Sequence, residues 1–212
     1  MLGRLPVTLP MVDVIVLAGG KGRRLGCDKA LVPVAGEPLL ARVLRRLEPL
    51  EGDRLIVVAQ GRAAFPFPLP ENVRVVEDRV ADAGALGGLY TGLLSAVHPV
   101  CVAVSVDLPF VDPGVLALLA GLVDQCEAAV PVVDGVRQPL HAAYRQTCWQ
   151  WLEPWVTAAE HPSLAELLDR MSCRWVEGEE LCRLDPELRS FFNLNRPADL
   201  QRAEELIAAG VD

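Results

Sequence analysis

Glycines and positive charges are concentrated in one short segment near the start of the chain. Residues 13–40 read DVIVLAGGKGRRLGCDKALVPVAGEPLL. Three closely spaced glycines, at positions 19, 20 and 22, leave backbone amides open to an anion because no Cβ blocks the approach. The cationic side chains beside them are Lys21, Arg23, Arg24 and Lys29. These residue types at this spacing predict a loop that binds phosphate.

Lysine occurs in this segment and nowhere else in the sequence. The chain has 20 basic residues, and Lys21 and Lys29 are its two lysines. A compact ammonium acts as a point charge against phosphate, whereas the planar guanidinium of arginine suits bidentate partners. We therefore expect both lysines to contact phosphate groups.

Two common phosphate-binding loops do not fit the segment. A Walker A loop needs Ser or Thr directly after a Gly-Lys pair, and the sequence lacks that arrangement. A dinucleotide fingerprint could begin at Gly20 and Gly22, but the next glycine, Gly26, comes one residue late. Ala59-Gln60 also stands where an acidic residue would bind ribose. An alternative interpretation gives the segment no binding function, and it would then be a glycine turn whose basic side chains are solvated.

Composition limits the partners and the location of the protein. Its 212 residues suit one α/β-sized domain, assigned to residues 12–212 after an N-terminal extension of residues 1–11. A net charge of −8 argues against nucleic acid as a partner. No apolar run reaches the ~20 residues of a membrane-spanning helix. Six cysteines without a CxxC pair predict free thiols and a cytoplasmic location.

Apolar patterning predicts strands that alternate with helices. Buried strands are predicted at 12–17, 55–59, 73–76, 100–106 and 128–133, with 140–144 pairing near the last of them. Helices are predicted at 38–50, 86–97, 113–123, 148–155, 163–171 and 197–209. This alternation implies an α/β fold with a mostly parallel sheet. Ligands of such sheets bind outside the carboxyl ends of the strands, where the glycine loop and Asp107 are both expected.

Several polar and aromatic side chains also have a structural explanation. Asp107 could form a turn at the end of its strand, and His141 is expected to be a packed histidine. Asn193 and Asn195 could cap the last helix. The arginines expected on the solvent face of the first helix are Arg42, Arg45 and Arg46. The tryptophans expected to pack against the sheet or to form a dimer surface are Trp149, Trp151 and Trp155.

The glycine segment resembles the signature of a known family. Residues 17–40 are similar to L-A-G-G-x-x-x-R-M-G-x-D-K-x-L followed by G-x-P-L, which is typical of the MobA-like nucleotidyltransferases of molybdenum cofactor biosynthesis. The matching positions are Leu17, Ala18, Gly19, Gly20, Arg24, Gly26, Asp28, Lys29, Leu31, Gly36, Pro38 and Leu39. Leu25 replaces the usual Met, which conserves side-chain volume.

The resemblance continues downstream and covers about residues 12–205. It includes GALGGL at 84–89, with Ala85 in place of proline, and SVDLPF at 105–110. It also includes RQPLHA at 137–142, where the family has a loop facing the acceptor substrate. The closing segment FNLNRPADL, at 192–200, has Arg196 in place of threonine.

The resemblance implies a three-layer, Rossmann-like nucleotidyltransferase fold that binds a nucleoside triphosphate over the glycine loop. Its catalytic residues would be Lys29, Arg24 and Asp107, with Lys29 near the α-phosphate and Asp107 as a ligand of Mg²⁺. The residues implied to contact the base and ribose are Leu17, Ala18 and Gly19. Those implied to hold the phosphates are Gly20, Lys21, Gly22 and Arg24.

Three further positions match implied binding residues. Asp78 matches an aspartate that contacts the nucleotide, and Glu77 is its rival by one place. Asn193 and Asn195 lie in the segment implied on the acceptor side.

The implied reaction is transfer of GMP from GTP to the phosphate of molybdopterin, which forms the guanine dinucleotide cofactor and releases pyrophosphate. Mg²⁺ is the implied cofactor. The implied partners are GTP (or CTP) and molybdopterin or its molybdenum-loaded form, with transient contacts to molybdoenzymes or other cofactor-biosynthesis proteins.

Three alternatives stay open. One is a cytidylyltransferase that uses CTP for the same cofactor. Another is a sugar-phosphate nucleotidyltransferase, whose usual L-A-A-G-x-G differs from this chain at Gly19. The third, a non-catalytic nucleotide sensor, would not need Asp107 together with Lys29.

Overall fold

Strands and helices alternate along the chain, as the sequence predicts. The computed structural model describes residues 11–19, 28–58, 64–158 and 160–211. The strands are β1 Asp13–Leu17, β2 Pro33–Val34, β3 Glu37–Pro38, β4 Arg54–Val58, β5 Val73–Glu77, β6 Val100–Ser105, β7 Ala128–Val133, β8 Val136–Arg137, β9 His141–Arg145 and β10 Cys173–Glu177. The helices are α1 Leu39–Arg46, α2 Gly84–Ser95, α3 Pro113–Gly121, α4 Cys148–Val156, α5 Leu164–Leu168, α6 Gly178–Leu181 and α7 Pro197–Ala208. Short 3₁₀ helices occur at Lys29–Leu31, Val123–Gln125 and Arg189–Phe191.

One large sheet runs through the protein in the order β10-β7-β9-β6-β1-β4-β5, and β8 pairs with β7. Strand β1 is parallel to both of its neighbours, β4 and β6. Strand β5 pairs in parallel with β4, and β10 pairs in parallel with β7. Strand β9 is antiparallel to β6 and β7, and its pairing with β7 confirms the predicted contact. The sheet is therefore mostly parallel, as predicted. None of the helices in the described ranges is both long and apolar enough to span a bilayer.

Each face of the sheet is covered by helices, which gives three layers. Along β1, Val14 and Val16 join the apolar cluster on one face, and Ile15 and Leu17 join the cluster on the other. The first cluster includes residues of α1, α3 and α7, and the second includes residues of α2, α4 and α5. Because both faces are covered, the central strands β1 and β4 are apolar after their first residue and show little alternation. The predicted tryptophan packing against the sheet is also confirmed, since Trp149, Trp151 and Trp155 contact the second cluster.

Helix α2 approaches β1 closely at two glycines. A Cβ placed on Gly88 would collide with the side chain of Leu17, and one on Gly92 would collide with Ile15. Gly88, in the 84–89 motif, and Gly92, one turn later, thus let α2 lie directly on the strand that leads into the glycine loop.

Buried His141, at the start of β9, supports the C-terminal segment of the chain. Its ring stacks on Phe191, with centroids 4.3 Å apart and an interplanar angle of 28°. The side chain is 1 % exposed, and neither ring nitrogen has a hydrogen-bond partner among the described residues. Burial lowers the pKa of His141 to about 4, although the negative charge of Asp185 acts to raise it. The expectation of a packed histidine is confirmed.

We expect His141 to make folding sensitive to mild acid. Its folded pKa of about 4 lies below the ordinary value of 6.5, so the unfolded chain takes up the proton first as the pH falls. Relative to a His141→Phe variant, the wild type should lose up to about 3 kcal/mol of unfolding free energy between pH 7 and pH 4. Urea unfolding across this range measures the difference, with exposed His161→Gln as the control. A difference between wild type and His141→Phe that is constant with pH would contradict the assignment.

Candidate functional site

Loops from several strands meet at one edge of the sheet, where the parallel strands end. Strands β1 and β6 are neighbours with Leu17 opposite Ser105, and the amide of Val106 donates to the carbonyl of Leu17 over 3.1 Å. Ala18 is buried and Gly19 is exposed, so the chain emerges from the sheet between these two residues. The start of the glycine loop and the segment that carries Asp107 therefore lie side by side.

Lys29 is held in place by local structure on either side of it. It begins the 3₁₀ helix Lys29–Leu31, whose N-cap Asp28 accepts a hydrogen bond from the amide of Ala30 over 3.1 Å. This short helix contacts α1, and the amide of Leu39 donates to the carbonyl of Val32 over 2.9 Å. Between them, the β2–β3 hairpin turns at Gly36, whose φ of +83° favours glycine.

The ammonium of Lys29 joins three distant segments of the chain. Its Nζ lies 2.8 Å from Oδ2 of Asp107 and 2.7 Å from Oδ1 of Asn195. These partners are 78 and 166 positions away in the sequence. The side chains of Lys29 and Asp107 are 23 % and 14 % exposed, so the ion pair is partly shielded from water but open on one side. We call these three residues the Lys29 cluster.

Asp107 has one carboxylate oxygen without a hydrogen-bond partner among the described residues. Its Oδ1 is buried and has no hydrogen-bond partner within the described ranges, while Oδ2 receives the ammonium. Its backbone carbonyl accepts a hydrogen bond from the amide of Leu194 over 2.8 Å, which fixes the loop. An unsatisfied carboxylate oxygen is costly to bury and is the kind of ligand that Mg²⁺ takes.

The chemistry of this edge fits Mg²⁺ bound mainly through a substrate. No group of three or more His, Cys, Asp or Glu side chains that could hold a metal occurs in the part of the chain that the structure describes. Mg²⁺ typically uses one or two protein carboxylates and completes its shell with phosphate oxygens and water. Asp107 is a suitable carboxylate for this arrangement.

Asn195 does not cap the last helix, so that alternative prediction is wrong. The N-cap of α7 is Arg196, and Asp199 accepts hydrogen bonds from the amides of Asn195 and Arg196 over 2.9 and 2.7 Å. Asp199 therefore satisfies the helix terminus and leaves the side chain of Asn195 to Lys29. Asn193 is exposed, and its side chain donates to the carbonyl of Phe191 over 3.0 Å, so it bonds within its own segment.

Asp78 lies at the same edge, directly after β5. Its Oδ1 accepts hydrogen bonds from the hydroxyl of buried Thr91 over 2.9 Å and from the amide of Val80 over 3.1 Å. Glu77 is an exposed residue of β5 itself. The structure thus gives Asp78 a fixed orientation against α2, and its contact with a nucleotide stays a prediction.

The remaining predicted residues of the glycine loop lie outside the described residues. They are Gly20, Lys21, Gly22 and Arg24. Leu17, Ala18 and Gly19 lead into that loop, and their contacts with base and ribose stay predictions.

The prediction of a solvent-facing arginine row on α1 is wrong for Arg42 and Arg46. Arg42 is 2 % exposed and its Nε donates to the carbonyl of Pro109 over 2.9 Å. Arg46 is half-buried and its Nε donates to the carbonyl of Val111 over 2.8 Å. The reason is that the segment after Asp107 passes over this face of α1 with its carbonyl groups toward the helix. The helical pattern of α1 contains no signal for such a partner.

The described cysteines are free thiols, and three of them have a raised pKa. They are Cys101, Cys126, Cys148, Cys173 and Cys182. Burial raises the pKa of the Cys148 and Cys173 thiols to about 12 and raises that of Cys101 further. A thiol with so high a pKa is a poor nucleophile and a poor metal ligand at neutral pH.

Comparison with known proteins identifies the family. The family model of the MobA-like NTP transferase domain matches residues 14–179. A Methanosarcina mazei protein named probable molybdenum cofactor guanylyltransferase is 34% identical over 89% of this chain and 88% of its own. A Desulfosudis oleivorans protein named molybdenum cofactor guanylyltransferase is 30% identical over 94% and 97%.

Solved structures agree with these matches. The crystal structure of molybdopterin-guanine dinucleotide biosynthesis protein A from Archaeoglobus fulgidus has a TM-score of 0.80 and 30% identity, and covers 93% of this chain and 100% of its own. A 2-C-methyl-D-erythritol 4-phosphate cytidylyltransferase from Thermus thermophilus, at 21% identity and a TM-score of 0.68 over 94% and 100% of the two chains, shares the fold. These matches show that this chain, with its three-layer fold, belongs to the MobA-like NTP transferase family and is a nucleotidyltransferase.

Proposed function

We propose that this protein transfers GMP from GTP to the phosphate of molybdopterin and forms the guanine dinucleotide form of the molybdenum cofactor. The proposal is supported by the names of the relatives and by their match over most of the chain. Cytoplasmic location is part of the proposal and rests on the unpaired cysteines of the described residues.

The observation that carries the proposal is the Lys29 cluster. Hydrogen bonds to two acceptors from distant segments hold the ammonium of Lys29 at one place on the edge of the sheet. Transfer of a nucleotidyl group needs positive charge where the α-phosphate gathers negative charge, and it needs that charge in place before the reaction. Lys29 would supply it, with Asp107 and Asn195 setting the direction of its side chain.

The reaction needs little else from the protein. A phosphate oxygen of the acceptor forms a bond to the α-phosphorus of GTP, and the bond from this phosphorus to the bridging oxygen breaks as pyrophosphate leaves. The attacking oxygen is already anionic, so no general base is required. The protein's part is to hold two anions in line and to neutralise their charge.

Magnesium is part of the proposal, and Asp107 is the residue that would hold it. Mg²⁺, when bound, would neutralise charge on the triphosphate. Asp107 would then share its carboxylate between the cation and the ammonium of Lys29. Oδ1 has no hydrogen-bond partner among the described residues, which supports this double role.

A direct experiment tests both substrates together. Purified protein would be assayed with Mg²⁺ and GTP, CTP, ATP or UTP for pyrophosphate release and for nucleotide transfer to molybdopterin or its molybdenum-loaded form. We expect transfer with GTP alone. A ligand at a hundred times its Kd should also add about 2.7 kcal/mol of stability, measurable as a thermal shift. Transfer with CTP alone would replace GTP in the proposal, and nucleotide binding without transfer to any pterin would overturn it.

We expect Asp107→Asn to keep the fold and to lose magnesium-dependent turnover by about 10²–10³-fold, because the change is nearly isosteric but removes a charge that a hard cation needs. Turnover against Mg²⁺ concentration measures the effect. Asp112→Asn is the control, since Asp112 lies in the same segment and caps α3 by accepting from the amides of Gly114 and Val115. Asn caps helices as well as Asp does, so this variant should stay active. Wild-type turnover of Asp107→Asn at limiting Mg²⁺ would contradict the metal role.

Lys29→Ala and Asn195→Ala should both slow the transfer step, and the loss of kcat should be larger for Lys29→Ala. Lys29→Ala removes charge that stabilises the transition state, so kcat should fall by about 10²–10³-fold. Asn195→Ala removes one hydrogen bond to a charged group, so kcat should fall by about tenfold or more while GTP affinity is kept. Single-turnover transfer and calorimetry measure the two quantities, with Asn72→Ala as the control, since Asn72 is exposed and directly precedes β5 at the opposite edge of the sheet. If Asn195→Ala raised KM for the pterin at unchanged kcat, Asn195 would be an acceptor-binding residue.

A further inference from the structure

Two arginines of α1 hold the segment that follows Asp107. Arg42 donates from Nε to the carbonyl of Pro109 over 2.9 Å. Arg46 donates from Nε to the carbonyl of Val111 over 2.8 Å and from Nη2 to the carbonyl of Phe110 over 3.5 Å. Three consecutive carbonyl groups are thus bound by one turn of one helix. We call this set of contacts the α1 clamp.

Burying Arg42 is costly, so its position calls for an explanation. The guanidinium is 5.6 Å from the centre of the Phe110 ring, and Nη1 lies 4.0 Å from a carboxylate oxygen of Glu37. A buried charge destabilises a fold unless its hydrogen bonds are satisfied. The carbonyl of Pro109 supplies such a bond, and in return the guanidinium fixes the course of the segment.

The segment held by the clamp is the one that places the carboxylate. Between β6 and α3 the chain is also fixed by the Val106 amide on Leu17 and by the Leu194 amide on the carbonyl of Asp107. These bonds hold the beginning of the segment. The clamp holds its second half, at Pro109–Val111, where the chain turns before it enters α3.

Helix α1 is also the element on which Lys29 is mounted. The 3₁₀ helix that begins at Lys29 contacts α1, and the amide of Leu39 in α1 bonds the carbonyl of Val32 just after it. One helix therefore carries the ammonium through its N-terminal side and the carboxylate segment through its arginines. The 2.8 Å distance from Nζ to Oδ2 depends on both attachments.

We propose that Arg42 and Arg46 are positioning residues, which set the place of Asp107 relative to Lys29 by clamping Pro109–Val111 onto α1. This inference rests on the proposed function for its catalytic consequence, since the carboxylate so placed is the one that would receive Mg²⁺. The clamp itself is a property of the protein and can be measured without a substrate.

Arg145 provides a control for the test. It also donates to backbone carbonyls, from Nε to that of Cys126 over 2.8 Å and from Nη2 to that of Asp124 over 2.6 Å. It ends β9 opposite Val100, the first residue of β6, and therefore lies at the opposite edge of the sheet from Asp107. Replacing it removes an arginine that binds backbone carbonyls but leaves α1 and its clamp intact.

The experiment compares Arg42→Met, Arg46→Met and Arg145→Met with the wild type by urea unfolding, by hydrogen exchange, and by the Mg²⁺ concentration that gives half-maximal turnover. Both clamp variants should lose stability. In Arg42→Met and Arg46→Met the amides of residues 106–108, 110 and 111 and of Leu194 should exchange at least tenfold faster, and half-saturation should need about tenfold more Mg²⁺. Arg145→Met should change neither quantity. Arg42→Lys, which keeps a donor, should recover part of the protection.

The outcomes separate the clamp from the proposed function. Unchanged exchange at 106–111 in both clamp variants, or an equal change in Arg145→Met, would overturn the clamp. Arg46 is only half-buried, so its variant should fold and decide the matter even where Arg42→Met does not. A wild type that transfers no nucleotide with any metal would overturn the proposed function, and the exchange data would still decide the clamp. Faster exchange with an unchanged Mg²⁺ requirement would refute the catalytic part of the inference.

Discussion

The ion pair between Lys29 and Asp107, completed by Asn195, is the interaction on which the rest of the site depends. It is partly buried, so the two charges attract each other in a medium less polarisable than bulk water, and the surrounding backbone must keep them in register. Each partner comes from a different part of the chain: a short helix after the glycine loop, the end of β6, and the segment before α7. Much of the fold can be understood as the means of bringing these three ends together.

The sheet brings two of them together by its topology. Parallel strands end at a common edge, and β1 and β6 are direct neighbours there, so the loops after them meet. The glycines of α2 refine this arrangement, since Gly88 and Gly92 let the helix lie directly on Leu17 and Ile15 of β1. The third end is fixed by the chain's own packing, through the stack of His141 on Phe191 and the bond from Leu194 to Asp107.

The two kinds of cation in this chain do different work. Its lysines are confined to the glycine segment, where a compact ammonium suits phosphate. The described buried arginines, Arg42 and Arg54, bind backbone carbonyl groups with their planar, multi-donor side chains. The scarcity of lysine is thus consistent with a structural use of arginine inside the fold and a chemical use of lysine at its edge.

The sequence by itself determined the alternation of strands and helices and the mostly parallel sheet. It also placed the glycine loop and Asp107 at the carboxyl ends of their strands. These features are local, because apolar runs, glycine spacing and caps such as Asp112 act over a few residues and leave a readable pattern. Only the tertiary structure decided that Asn195 bonds Lys29 rather than capping α7, and that Arg42 turns inward instead of facing solvent. Both depend on a partner far away in the sequence, a lysine 166 positions distant in one case and the carbonyl of Pro109 in the other. A polar side chain on a helix or loop has no periodicity that reveals such a partner, since the free energy of the contact arises only when folding removes both groups from water.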